Sequence, residues 1–124
     1  MMASADRRPR VVRADAWTGG APFHGHIQGN DFGGEITVLY GKFYGLGAGP
    51  PLHFHPYEEV FLLQSGRARF TVGDDTLEAA GGDLVLAPAH VPHKFENLGP
   101  GPLVSIDIHM SPEWIQTNLE EKDG

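Results

Sequence analysis

Turn-forming residues interrupt this chain so often that short strands are what fits between them. Seventeen glycines and ten prolines are spread over 124 residues. The runs they leave are rich in β-branched and aromatic side chains, which suit a pleated, half-buried surface. Residues 35–44 (EITVLYGKFY) read as a strand with a bulge at Gly41, 52–55 as a short extended piece and 58–64 (EEVFLLQ) as a strand. Ser65-Gly66 turns the chain into 67–72 (RARFTV), and Gly73-Asp74-Asp75 turns it again into a hairpin arm at 76–79. Residues 83–87 (DLVLA), 93–97 (HKFEN) and 103–109 (LVSIDIH) complete an all-β set, a barrel or sandwich without βαβ units. One helix is expected, and it comes last: Ser111 caps, Pro112 takes the first helical position, and the run continues to Glu121. Trp114, Ile115 and Leu119 share one face of that helix and would close an end of the barrel.

The length fits one domain, and an apolar content of 40% is ordinary for a globular protein. The reading is a flexible N-terminal arm at 1–15 followed by a single domain at 16–124. Arg7, Arg8, Arg10 and Arg13 have no apolar segment behind them, so the arm reads as a solvated terminus and not as a secretory signal. No apolar run approaches the roughly 18 residues of a membrane span. Cysteine is absent, so disulfides are excluded and any metal site must use His, Asp and Glu. A cytoplasmic location is the expectation from that usage. A formal charge of −7 disfavours a nucleic-acid partner. Val60 and Leu62 alternate with Phe61 and Leu63, and Leu84 and Leu86 flank Val85, so both faces of these strands want cover. That cover can come from a second sheet layer, the N-terminal segment or another subunit, and a homodimer is the favoured reading.

The chemistry lies between Gly47 and Asn97. His53 and His55 stand two apart, so on an extended strand both imidazoles point to one face, about 6.6 Å apart along the chain. Glu59 keeps the same parity, and His93 opens a later strand that can meet them across the interior. Three imidazoles and one carboxylate suit Fe, Mn, Zn, Ni or Cu as one divalent ion per chain, with positions left open for a substrate. His24 and His26 repeat the His-x-His spacing but lack a glutamate at the matching distance.

At these residues the chain resembles the cupin superfamily, in particular its small single-domain members. The first cupin motif reads Gly47-AGPPL-His53-Phe54-His55-PYE-Glu59-VFLLQS-Gly66, spanning 47–66. The second reads Gly82-DLVLA-Pro88-Ala89-His90-VP-His93-KFE-Asn97, spanning 82–97, with His90 where the motif has glycine. That glycine occupies a turn, and histidine tolerates positive φ there better than most side chains. The resemblance implies a cupin double-stranded β-helix, or jelly-roll, barrel with His53, His55, Glu59 and His93 as metal ligands. It also implies action on a small organic molecule, since cupins include dioxygenases, isomerases, cyclases, lyases and plain binding proteins. A dioxygenase-like enzyme is the first reading, with Glu59 as both ligand and base, as in the flavonol dioxygenases that this site resembles. A non-redox isomerase, cyclase or lyase is the second and a non-catalytic binding cupin the third. Small sulfoniopropionate-lyase cupins carry a tyrosine two residues after the ligand glutamate, where this chain has Phe61.

Beyond the ligands, Phe61 and Phe95 share the ligands' parity and face the lumen, while Glu58 has the opposite parity and faces out. Asp107 and His109 share one face of the last strand, opposite Ile106 and Ile108, and either pair can line the cavity. Trp114 is a further pocket candidate. Tyr40, Tyr44 and Tyr57 read as packing residues.

Overall fold

The computed structural model describes residues 8–19 and 24–120. Ten strands form two five-stranded antiparallel sheets. In chain order the elements are α1 Ala14–Thr18, β1 Gly25–Ile27, α2 Gly29–Phe32, β2 Thr37–Phe43, β3 His53–Phe54, β4 Glu59–Ser65, β5 Arg67–Val72, β6 Asp75–Ala80, β7 Leu84–Ala87, β8 His93–Asn97, β9 Leu103–His109 and β10 Thr117–Asn118. The first sheet runs β1-β2-β9-β4-β7 and the second β10-β3-β8-β5-β6. This is the expected all-β jelly roll. Strands that neighbour in space are rarely consecutive in sequence, so distant segments end up on adjacent rungs.

Period-2 alternation sends one row of each sheet into a shared core. Phe61, Leu63, Phe70, Phe95 and Leu103 are all buried there, and burying each such side chain contributes roughly 2–3 kcal/mol. The rings of Phe61, Phe70 and Phe95 meet at 5.0–5.7 Å between centroids, tilted or edge to face. Asn97, the last residue of the second motif, is a clamp. Its Nδ2 donates to the carbonyls of Phe43, Gly45 and Gly101 at 3.0–3.2 Å, and its Oδ1 accepts from Gly99 N–H at 2.8 Å. Gly66, which closes the first motif, has φ +91° and would bring a Cβ to 2.5 Å of the Pro102 carbonyl oxygen. Glycine is required there on both counts.

The structure differs from the sequence reading in several places. Gly41 is not a bulge: it pairs in register with Ser105, and the Phe43 ring fills the space its side chain would take. The register shift falls in β4, between Leu63 and Ser65, against β9. No helix forms over 111–120. The cap does form, Glu113 N–H donating to Ser111 Oγ at 3.1 Å. The next amides, however, leave the helical path: Trp114 N–H goes to Gln28 Oε1 at 2.8 Å and Ile115 N–H to the Tyr57 hydroxyl at 3.2 Å. Leu119 N–H then reaches the Leu52 carbonyl at 2.8 Å. These bonds draw the tail into an extended strap whose last part is β10, paired with β3 beside His53. Residue 121, the end of the predicted helix, lies outside the described residues, as do 122–124 and residues 1–7 of the predicted arm. Within the rest of that arm, Arg10 Nη1 donates to the Phe32 carbonyl at 2.8 Å. The short elements α1, α2, β1 and β10 escaped the sequence reading because two to five residues carry no measurable periodicity.

The outer face of the first sheet is apolar across all five strands. One row runs Leu84, Leu62, Ile106, Tyr40, Gly25 and the next Leu86, Val60, Ile108, Val38, Ile27. At the β1 end the N-terminal segment covers it: Trp17 packs over Gly25 and its ring stacks on Tyr40 at 6.5 Å. At the β7 end Leu84 and Leu86 remain 60% and 47% exposed. Among the described residues no helix is long and apolar enough to cross a membrane.

Candidate metal centre

His53, His55, Glu59 and His93 are buried, and one donor atom from each lies within 4.8 Å of every other. The fold makes this cluster from both sheets. His53 on β3 and His93 on β8 are direct cross-strand partners in the second sheet, with rings 4.4 Å apart. Glu59 opens β4 in the first sheet, and His55 lies on the short link between β3 and β4. The turn that carries His90 supports His55 from behind, His90 N–H donating to the His55 carbonyl at 2.8 Å. His90 has φ +67° and an exposed side chain, so the turn uses its backbone and tolerates the histidine. Glu58 is exposed, opposite in parity to Glu59.

Hydrogen bonds sort the histidines by tautomer. His53 Nδ1 faces the Pro51 carbonyl at 2.6 Å, His55 Nδ1 the Ile115 carbonyl at 2.8 Å, and His93 Nδ1 the Val91 carbonyl at 3.0 Å. A carbonyl only accepts, so each Nδ1 carries a proton, and the tautomer this selects turns its Nε2 lone pair to the centre. His55 Nε2 and His93 Nε2 lie 3.0 and 3.1 Å from Glu59 Oε1. His55 Nε2 is buried with no hydrogen-bond partner. Two lone pairs against a carboxylate oxygen repel unless a cation or proton sits between them, and such orphaned donors fit a divalent ion. Burial lowers His53, against the Pro51 hydrogen bond, to about 4. Burial alone would raise Glu59, but the surrounding histidines, His109 first, hold its carboxyl well below the usual carboxylate range.

A fourth histidine works in the opposite sense. His109, at the end of β9, is the cross-strand partner of Glu59 and is buried with it. Its Nε2 lies 3.1 Å from Glu59 Oε2, and its Nδ1 lies 2.7 Å from the Tyr57 hydroxyl. The carboxylate must accept, so Nε2 carries the proton, and Nδ1 accepts from Tyr57 O–H. Burial, opposed by the Ile115 amide, pushes the Tyr57 hydroxyl up to about 12, which keeps that proton in place. Tyr57, half-buried and stacked on His55 at 5.0 Å, was read from the sequence as a packing residue. Its spacing of two from both His55 and Glu59 was the available signal.

The polar pair of β9 faces inward: Asp107 and His109 are buried, while Ile106 and Ile108 lie on the outer face. Asp107 accepts a short hydrogen bond from Ser105. Burial, and then the Glu59 charge, push its carboxyl well above the ordinary range. Phe61 and Phe95 are packed in the core, with Phe61 5.8 Å from the His93 ring. Trp114 is 41% exposed and meets His26 edge to face at 4.7 Å. His24 and His26 are not among the donors that converge.

The sequence pattern of the cupin domain matches residues 44–109, which include every residue of the cluster. The chain belongs to the cupin family. This cupin shares 46% identity over 44 residues with an uncharacterized protein of Streptomyces coelicolor, covering 36% of this chain and 42% of that protein. It shares 38% over 53 residues with one from Methanocaldococcus jannaschii, covering 42% of each. Each match therefore spans well under half of the relative. Among solved structures it is similar to the oxalate decarboxylase of Bacillus subtilis, with a TM-score of 0.70 and 26% identity over 77% of this chain and 27% of the other. Manganese(II) centres are described for that enzyme. The oxalate decarboxylase of Lactobacillus farciminis shares the fold, with a TM-score of 0.69 and 21% identity over 80% of this chain and 32% of that one.

Proposed function

We propose that this cupin is a metal-dependent enzyme that holds one divalent ion on His53, His55, Glu59 and His93 and converts a small organic molecule beside it. The observation that carries the reading is the orientation of three buried imidazoles, each with its Nδ1 proton committed to a carbonyl and its Nε2 lone pair turned to Glu59. Histidines oriented in this way are typical of metal ligands. The bound ion would supply Lewis acidity to the substrate and, for iron, access to dioxygen. The chain's own part is to position and to hold protons. His109 Nε2–H fixes Glu59 Oε2 and leaves Oε1 toward the imidazoles, and Glu59 is the carboxylate placed to take a proton from a substrate. Dioxygenation with iron is the first reading, because the histidines and carboxylate suit a redox ion and the surrounding core excludes water. The similarity to the oxalate decarboxylase of Bacillus subtilis, with its manganese(II) centres, favours a second, in which a carbon–carbon bond is cleaved with manganese.

Elemental analysis of the purified protein tests the common claim. The expected result is one equivalent of metal per subunit in wild type and its loss in His53→Ala, His93→Ala and Glu59→Ala, with far-UV circular dichroism unchanged. Wild-type metal content in those variants, or none in wild type after reloading, would overturn it. Iron-dependent oxygen uptake would then support the first reading, and anaerobic turnover with manganese the second.

A further inference from the structure

Asp107 is a buried carboxyl group that neither the metal donors nor their hydrogen-bonded supports use. It lies on the inward row of β9, between Leu39 of β2 and Phe61 of β4, and only 8% of it is exposed. Its Oδ1 is taken by the Ser105 hydroxyl, and among the described residues Oδ2 makes no hydrogen bond. Oδ2 is not among the fully buried atoms left without a partner, so it keeps an opening through which a donor from outside the protein can reach it. Asp107 does not end against packed protein. It lines a cleft of about 440 Å³ whose other walls include Trp17, His26, Leu39, Tyr40 and Phe43. That size is within the range of small-molecule sites, which are mostly apolar with a few placed polar groups. By contrast, the concavity beside Arg69 and Lys94 has its cations paired already, with Glu78, Glu96 and Glu120 at 3.3–3.6 Å.

We propose that this cleft binds a small molecule bearing a hydroxyl or amino group on a ring-sized apolar body, with the donor on Asp107 Oδ2 and the body against His26, Leu39 and Phe43, which share the inward parity of Asp107. An anionic head is disfavoured by the Glu59 charge on the neighbouring rung, and a head with no donor leaves Oδ2 unpaired. Asp107 stands two residues from His109 along β9, about 7 Å, so the seat is one step along the sheet from the candidate metal centre. The binding itself needs no ion.

The test titrates metal-free protein, treated with chelator, with benzyl alcohol, benzylamine, toluene and benzoate while following the Leu39 methyl and Phe43 ring resonances. Benzyl alcohol or benzylamine is expected to bind wild type roughly tenfold more tightly than toluene, with benzoate weakest. In Asp107→Leu the order should collapse, toluene binding at least as well as the other two. Asp107→Asn has the same shape and still accepts a hydrogen bond. It should keep benzyl alcohol and weaken benzylamine, which separates the hydroxyl source from the amino one. Equal binding of all four probes, a donor preference that survives Asp107→Leu, or no saturable shift up to the solubility of the probes would overturn the proposal. Because no metal is present, none of these results depends on the ligand assignment.

Discussion

Four buried histidines of one chemical type divide into two roles through a single proton position each. Three donate Nδ1–H to backbone carbonyls and turn a lone pair inward, while His109 accepts at Nδ1 from Tyr57 and turns an N–H inward. The contrast predicts which histidine supports the ion without ligating it. His109→Leu and Tyr57→Phe should each retain a metal site but weaken it, by roughly 10- to 100-fold for His109→Leu and toward the lower end for Tyr57→Phe. Competition with a chromophoric chelator reads that loss, and His109→Gln, which keeps an N–H donor, should recover part of it. Unchanged affinity in both Leu and Phe variants would leave His109 and Tyr57 with no part in the centre.

The C-terminal strap has the largest functional effect of the elements that were misread. Its amides are satisfied by Gln28, Tyr57 and Leu52, and in return its Ile115 carbonyl holds the His55 ring. A helix over the same residues would satisfy that carbonyl internally and leave His55 Nδ1 without its acceptor. Deleting residues 113–124 should therefore weaken metal binding while the core still melts cooperatively, since the clustered phenylalanines lie elsewhere. Chelator competition and thermal unfolding of the same variant check the two halves of that expectation. Loss of cooperative unfolding would make the strap part of the folding unit instead of a support for His55.

At the scale of the whole molecule, the outer rows of the first sheet leave an apolar face only partly covered. The N-terminal segment covers the β1 end, and Leu84 and Leu86 at the β7 end are left with Val60, Leu62, Ile106 and Ile108 beside them. A contiguous apolar surface of this kind is a common mark of an interface, and a second copy presents the same surface across a two-fold axis. The expectation is a homodimer in light scattering, converted to monomer by Leu84→Glu with Leu86→Glu, which put charge on exposed positions. A monomeric wild type would show that the face is left to solvent.

Strand positions were legible because period-2 alternation and turn residues are local properties, and β5, β8 and β9 fall where the sequence places them. The donor quartet was legible for the same reason: His53, His55 and Glu59 share a parity within one short segment, and the motif spacing brings in His93. What the sequence left open was which face of β9 turns inward, because Asp107-x-His109 and Ile106-x-Ile108 alternate equally well. Only the pairing of β9 between β2 and β4 decided it, setting His109 opposite Glu59. The tail was open in the same way, its cap and apolar spacing compatible with a helix. Long-range acceptors on Gln28, Tyr57 and Leu52 decided that segment, because each replaces a hydrogen bond that a helix would make within itself.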